Sequence, residues 1–293
     1  MMRRKPHWRL VCLLALLALP GLTFGAGGRL VATGGLTQIE GTAGGGLVPW
    51  AVLAGYGTAE QVGGTVSLTH TNAPDFTLST LSANYTLYNR LEFSIARQSF
   101  TIDSGNPLQD AFGLGGTQQI EQDILGIKYR VVGDLIYDRL PQVSIGVQHK
   151  RNRDFDIPEA VGARNDKDFD GYISVSRLFL GALWGRHLLV NGTLRATRAN
   201  ETGILGFGGP EGNSHELMPE LSVAVLLDQR TAVGLEYRSK PDNLGLDETR
   251  WADVFIAYFP TKHLGLAAAI VDLGTVGTIE NQRGLFLSVQ GTF

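Results

Sequence analysis

The chain of 293 residues contains a single cysteine, Cys12, so no disulfide can form within it and no cysteine-rich metal site can be built. It also lacks an uninterrupted apolar run of the roughly 20 residues that a spanning helix requires. There is no surplus of base: 25 Lys and Arg stand against 28 Asp and Glu, a formal charge of −3. A mildly acidic chain is a poor candidate for nucleic acid. Motifs of nucleophilic and nucleotide chemistry are missing too. No G-x-S-x-G and no G-K-[ST] loop occurs, and His70, His149, His187, His215 and His263 form no H-x-x-x-H pair. These absences leave no catalytic constellation, no metal site and no cofactor to expect.

What is present begins at the far end. In residues 285–293 (LFLSVQGTF), Leu285, Leu287, Val289, Gly291 and Phe293 fall on one face and Phe286, Ser288, Gln290 and Thr292 on the other. Period two predicts a strand. An apolar stripe ending on an aromatic is similar to the closing strand of bacterial outer-membrane barrels, where Leu285, Leu287, Val289 and Phe293 would also serve as the assembly signal. At the other end, Arg3, Arg4 and Lys5 precede an apolar stretch over 10–19 and a small-residue exit over 20–26. That order predicts a secretory signal peptide, residues 1–25, followed by one barrel domain over 26–293. Its removal takes away Cys12 and four basic residues, Arg3, Arg4, Lys5 and Arg9, and moves the formal charge from −3 to −7.

Glycine is abundant, 38 residues, and concentrates after the leader in ATGGLTQI (32–39) and GGGLVPWAVLAGYG (44–57). These two segments resemble the opening of a proteobacterial family of unknown function, DUF3034. The resemblance implies an outer-membrane, porin-like β-barrel without assigned activity, and it brings no catalytic residues.

Alternating segments then follow at hairpin spacing. They are predicted over 62–71, 77–87, 91–100, 119–131, 141–149, 171–179, 187–198, 220–227, 233–238, 251–258, 263–271 and 285–293. Alternation is weaker in 171–179, which predicts a bulge or a shifted boundary there. A strand starting at Leu47 makes about 13 and one over 30–39 about 14; 12 is the count if the weaker assignments fail. A single-chain bacterial barrel takes an even number. The expected fold is therefore all-β: a transmembrane antiparallel up-and-down barrel of 12–14 strands.

Connections sort by length. Residues 59–61, 88–90, 228–230 and 260–262 form tight turns, whereas 101–118, 150–170, 199–214 and 239–248 are long. Short periplasmic turns and long outer loops are the bacterial arrangement. Tyr56, Tyr85, Tyr88, Tyr129, Phe179, Trp184, Tyr258, Phe259 and Phe293 fall near the predicted periplasmic ends, where amphipathic rings collect at headgroup depth.

With apolar faces toward lipid, the opposite faces would line the lumen. They carry Glu92, Lys128, Arg130, Arg195, Glu220, Glu236, Arg238 and Asp253, mixed in sign. Placing such charges on the lipid side would cost about 2–4 kcal/mol each at the midplane. Rings of charge in a wet pore select solutes; paired with one another they would instead fill a closed lumen. The segment DKDFDG (166–171) has the first half of a calcium loop, but Arg177 stands where the bidentate Glu is needed, so an EF-hand is excluded.

The expected location is the outer membrane of a Gram-negative bacterium. Outer-membrane lipid, lipopolysaccharide and the assembly machinery are the expected partners, and nucleic acid is not. The leading expectation is a porin-like channel passing small solutes with little selectivity. The alternative is a closed barrel with a structural or surface-interaction role.

Overall fold

The computed structural model describes residues 28–102, 117–248 and 250–293; the expected signal peptide lies outside the described residues. The two short strands, β1 (Leu36–Thr37) and β2 (Ala43–Gly44), pair only with each other. The remaining twelve are β3 (Val62–Asn72), β4 (Phe76–Leu87), β5 (Leu91–Ile102), β6 (Gln118–Val132), β7 (Gln142–Asn152), β8 (Lys167–Leu183), β9 (Arg186–Thr197), β10 (Glu216–Leu226), β11 (Thr231–Ser239), β12 (Arg250–Thr261), β13 (Leu264–Asp272) and β14 (Arg283–Thr292). Each pairs antiparallel with its sequence neighbour, and β14 returns to β3 with Leu285 opposite Asn72 and Thr292 opposite Thr65. The sheet is a closed barrel without an edge.

Period two places the side chains. In β5, Phe93 and Ile95 are exposed while Glu92, Ala96 and Gln98 are buried. Leu125 and Ile127 of β6, Ile145 and Val147 of β7, and Leu285, Leu287 and Val289 of β14 also point outward. This outer surface of Leu, Ile and Val is stable only in hydrocarbon, and the polar faces turn to the lumen. At one rim lie the short turns, one nine-residue connection over 133–141 and the C-terminus, with Tyr88, Tyr129, Tyr137, Phe179, Trp184 and Tyr258 exposed around it. At the other rim lie the long connections 153–166, 198–215, 240–249 and 273–282; one outer connection, 73–75, is short. β8 begins earlier than its alternation suggested and shifts register between Phe179 and Leu183, where Gly181 adopts φ +66°. The weak alternation thus reflects both a displaced start and an irregularity.

The strands expected over 30–39 and from Leu47 do not join the wall. The wall has twelve strands, and every residue from 34 to 57 is buried inside the barrel. This segment, hereafter the plug, is joined to β3 through residues 58–61. Its sequence explains the departure. A wall strand must present lipid to one face and lumen to the other, but LVPWAVLA (47–54) is apolar at successive positions and interrupted by Pro49, which cannot donate to a ladder. A segment apolar all round is satisfied when surrounded on all sides.

Candidate functional site

The lumen is built in three layers. Toward the outer rim, Ile39 and Leu47 of the plug lie with Phe76, Leu78, Phe100, Trp251, Leu273 and Val276 around a cavity of about 20 Å³. Toward the periplasmic rim, Leu36 and Trp50 lie with Leu135, Leu178, Leu189, Phe255 and Phe259 around a cavity of about 30 Å³. Each has room for one or two waters. Between these apolar layers, the plug backbone meets a polar wall.

Wall carboxylates there cap backbone N–H groups. Glu92 accepts from Thr42 Oγ1 at 2.5 Å and from the amides of Ala43 and Ala54 at 3.0 and 2.8 Å. Glu236 accepts from the amides of Gly46 and Leu47 at 2.6 and 2.7 Å and from the Ser222 hydroxyl. Glycine at 45 is what permits this approach, because a side chain there would run into the Glu236 carboxylate. Lys128 supplies the opposite chemistry. Its Nζ donates to the carbonyls of Ala43, Trp50 and Val52 at 2.7–3.1 Å and stands 3.6 Å from Glu92. Neutral groups complete the belt: Ser174, Asn191 and Thr193 all donate to the Pro49 carbonyl, and Gln142 and Ser144 to that of Ala51.

The plug carries one carboxylate into the charged arc above. Glu40 receives Arg238 through both guanidinium ends, at 2.9 and 3.0 Å, and Lys150 on Oε1. Arg195 lies 3.3 Å from Glu40 Oε2. Arg195 also pairs with Glu220 at 2.5 Å and Asp170 at 3.3 Å, and Asp170 with Lys150 at 2.6 Å. A buried charge is tolerable when paired and hydrogen-bonded, and these are so arranged.

Of the eight residues expected to line the lumen, Glu92, Lys128, Arg195, Glu220, Glu236, Arg238 and Asp253 are inward and buried. The plug touches Glu92, Lys128, Arg195, Glu236 and Arg238 directly. Arg130 sits at the periplasmic end of β6, half-buried, and pairs with Asp134 at 3.4 Å. Asp253 is cross-strand from Glu236, and neither of its oxygens has a hydrogen-bond partner. Leu285, Leu287 and Val289 face outward, and the Phe293 backbone exchanges two hydrogen bonds with Gly64 at the seam.

Sequence reasoning did not place Glu40, Lys150 or Asp170 in the lumen. The last two were legible: alternation through Gln142, Ser144 and Gln148 reaches Lys150, and alternation back from Tyr172 and Ser174 reaches Asp170. The charges that crowd 150–170 give that stretch the look of a loop and hide both positions. Tyr56, read as a rim aromatic, is buried in the plug.

The acidic motif resolves into separate ion pairs. Asp166 stands 3.6 Å from Arg151, Asp168 binds Arg198, and Asp170 joins the arc. Nearby serines and histidines fall on opposite faces of the wall. Ser67 bonds Ser82 in the lumen while His70 is outside with Ser79; Ser144 bonds the plug while His149 packs outside on Phe169.

Solved structures with similar topology include the KdgM porin in complex with disordered oligogalacturonate (TM-score 0.49, 8% identity, 78% of this chain and 99% of that one). Others are the Acinetobacter baumannii outer membrane protein Omp33 (0.49, 6%, 80% and 100%) and LpxR from Salmonella typhimurium (0.49, 9%, 78% and 100%). No curated protein matches the chain. The family described as a protein of unknown function, DUF3034, matches residues 33–290, and the chain, a closed twelve-stranded β-barrel, belongs to that family.

Proposed function

We propose that this protein is a plugged outer-membrane channel: a porin-like barrel whose resting state is sealed by residues 34–57 and which passes small solutes when that segment is displaced. The observation that carries this reading is that the wall closes without the plug. All twelve wall strands pair continuously, and no wall ladder includes a plug residue. Withdrawal would therefore break no wall hydrogen bond. The groups it would uncover support the same reading. Glu92, Lys128, Glu236, Ser144 and Thr193 contact the plug backbone, and each can exchange that partner for water, at a net cost of about 1 kcal/mol for a neutral hydrogen bond and about 1.5–3 kcal/mol for one to a charged group.

In this reading residues 1–25 direct export, and the end of β14 with Phe293 is presented to the outer-membrane assembly machinery. Outer-membrane lipid surrounds the belt, and lipopolysaccharide meets the outer rim.

The test uses two hydroxyls, Thr37 Oγ1 of the plug and Thr65 Oγ1 of β3, which lie 2.8 Å apart. Cysteines at both positions would bridge plug to wall, and with Cys12 lost in the leader no other thiol would compete. Glu40→Gln, which removes the plug's charge, is expected to give discrete conductance steps in planar bilayers. In the T37C/T65C background those steps should vanish on oxidation and return with dithiothreitol. A silent bilayer from Glu40→Gln protein, shown folded by heat-modifiable gel mobility, overturns the channel and leaves a closed, non-transporting barrel.

A further inference from the structure

Five consecutive strands carry one inward charge each at the level of Glu40: Lys150 on β7, Asp170 on β8, Arg195 on β9, Glu220 on β10 and Arg238 on β11. The signs alternate and the arc begins and ends on a cation. The wall alone therefore presents three cations and two carboxylates, an excess of one positive charge. Glu40 supplies the missing negative one.

The geometry is specific for a group with two coplanar oxygens. Arg238 grips Glu40 in the two-pronged arrangement that matches a carboxylate, one amino group on each oxygen. Lys150 adds a point charge on Oε1, and Gln38 Nε2 reaches Oε2 at 3.2 Å. One amino group of Arg195, buried and facing Glu40 Oε2 at 3.3 Å, makes no hydrogen bond. A donor remains available that the plug's own carboxylate does not use.

We propose that Lys150, Arg195 and Arg238 form a carboxylate-binding site of the lumen, which Glu40 occupies while the barrel is sealed. Small organic carboxylates compete with Glu40 for this site. The proposal rests on the plugged-channel reading for its purpose, but binding itself needs no conduction. The opened lumen then favours carboxylate-bearing solutes over simple anions of equal charge.

The experiment uses full-length Glu40→Ala protein in lipid vesicles, with sodium acetate as probe and sodium chloride at matched ionic strength as reference. Acetate is expected to raise the temperature midpoint of heat-modifiable unfolding, with a half-maximal effect at a concentration at least about tenfold below that of chloride. Glu40→Ala/Arg238→Gln should lose that preference. Equal responses to acetate and chloride, or an unchanged preference in the double variant, overturn the site.

Should Glu40→Ala not fold, Thr37→Cys with Glu40 intact serves instead. Acetate, and not chloride, should speed maleimide labelling of the plug cysteine, and Arg238→Gln should abolish the difference. Labelling that is indifferent to acetate, or absent throughout, counts against competition. Planar-bilayer currents separate the two readings. A silent Glu40→Ala protein that still prefers acetate removes the channel and keeps the site. Currents without acetate preference do the reverse.

Discussion

At the scale of residues, the lumen reverses the usual division of labour between side chain and backbone. Lys128 spends its ammonium on three plug carbonyls and sits within 3.6 Å of Glu92. Glu92 in turn holds two plug amides. Removing one member of such a buried pair costs about 3–5 kcal/mol, because the other charge is stranded. Lys128→Met is therefore expected to loosen the plug by that order, seen as faster amide hydrogen exchange over residues 42–54. In Lys128→Met/Glu92→Gln the cost should fall below the sum of the single variants, and strict additivity would show that the two are not coupled. Asp253 is the opposite case. It faces Glu236 across β11 and β12 with both oxygens lacking hydrogen-bond partners, and like charges directly opposite one another destabilise a sheet. Asp253→Asn should raise the unfolding temperature, whereas Glu236→Gln should lower it by weakening the caps on Gly46 and Leu47.

At the scale of elements, the wall was legible in the sequence and the plug was not. Twelve alternating segments register the two solvents that a wall strand divides, so each could be found without its neighbours. Residues 34–57 divide nothing. Their apolar positions run together around Pro49, and the glycines at 45 and 46 let backbone approach wall carboxylates, a relation between residues some 190 positions apart that local pattern does not encode. The outer loops show the same non-local character. Residues 199–207 fold into the mouth, where Glu201 takes Lys240 at 2.5 Å and the Trp251 indole N–H at 3.0 Å, and its amide donates to Glu248. Burial, then the neighbouring Glu201 carboxylate, pushes the Glu248 carboxyl well above the usual range; Lys240 opposes this and Asp242 adds to it. A carboxyl whose folded pKa is raised binds its proton more tightly folded than unfolded. Its contribution is complete below the unfolded pKa and is lost as pH rises through the folded one. The cap is thus expected to be tighter in mild acid. Protease protection of residues 199–209 should fall from about pH 4 upward, and Glu248→Gln should flatten the profile. A wild-type profile without slope would show that Glu248 ionises freely.

At the scale of the whole molecule, what decides the fold is the exchange of inside for outside. Among the described residues, large apolar side chains such as Leu68, Ile95, Leu125, Leu235, Val254 and Ile270 are more than half exposed, while Glu92, Lys150, Glu220 and Arg195 are at most 1% exposed. A water-soluble protein could not keep such a surface, since exposed apolar patches on monomers seldom exceed a few hundred Å². Only hydrocarbon makes this outer surface stable, while inside the barrel the plug is held by apolar packing in the two end layers and by hydrogen bonds and ion pairs between them. Depth in the bilayer then becomes measurable from the outside. Val254 lies in the interior of β12, flanked by Leu235 and Ile270 on the neighbouring strands, whereas Trp184 lies in the periplasmic turn, 93% exposed. Val254→Arg places a cation against lipid tails and should cost about 2–4 kcal/mol in reversible folding into bilayers, while Trp184→Arg, at headgroup depth, should cost no more than about 1 kcal/mol. Equal penalties at the two positions would mean that the belt is not where the barrel meets the membrane. If instead the penalty grows from the turn toward the middle of β12, the same ruler fixes the depth of Glu40 and its three cations, which the register ties to the wall at Arg238 opposite Trp251.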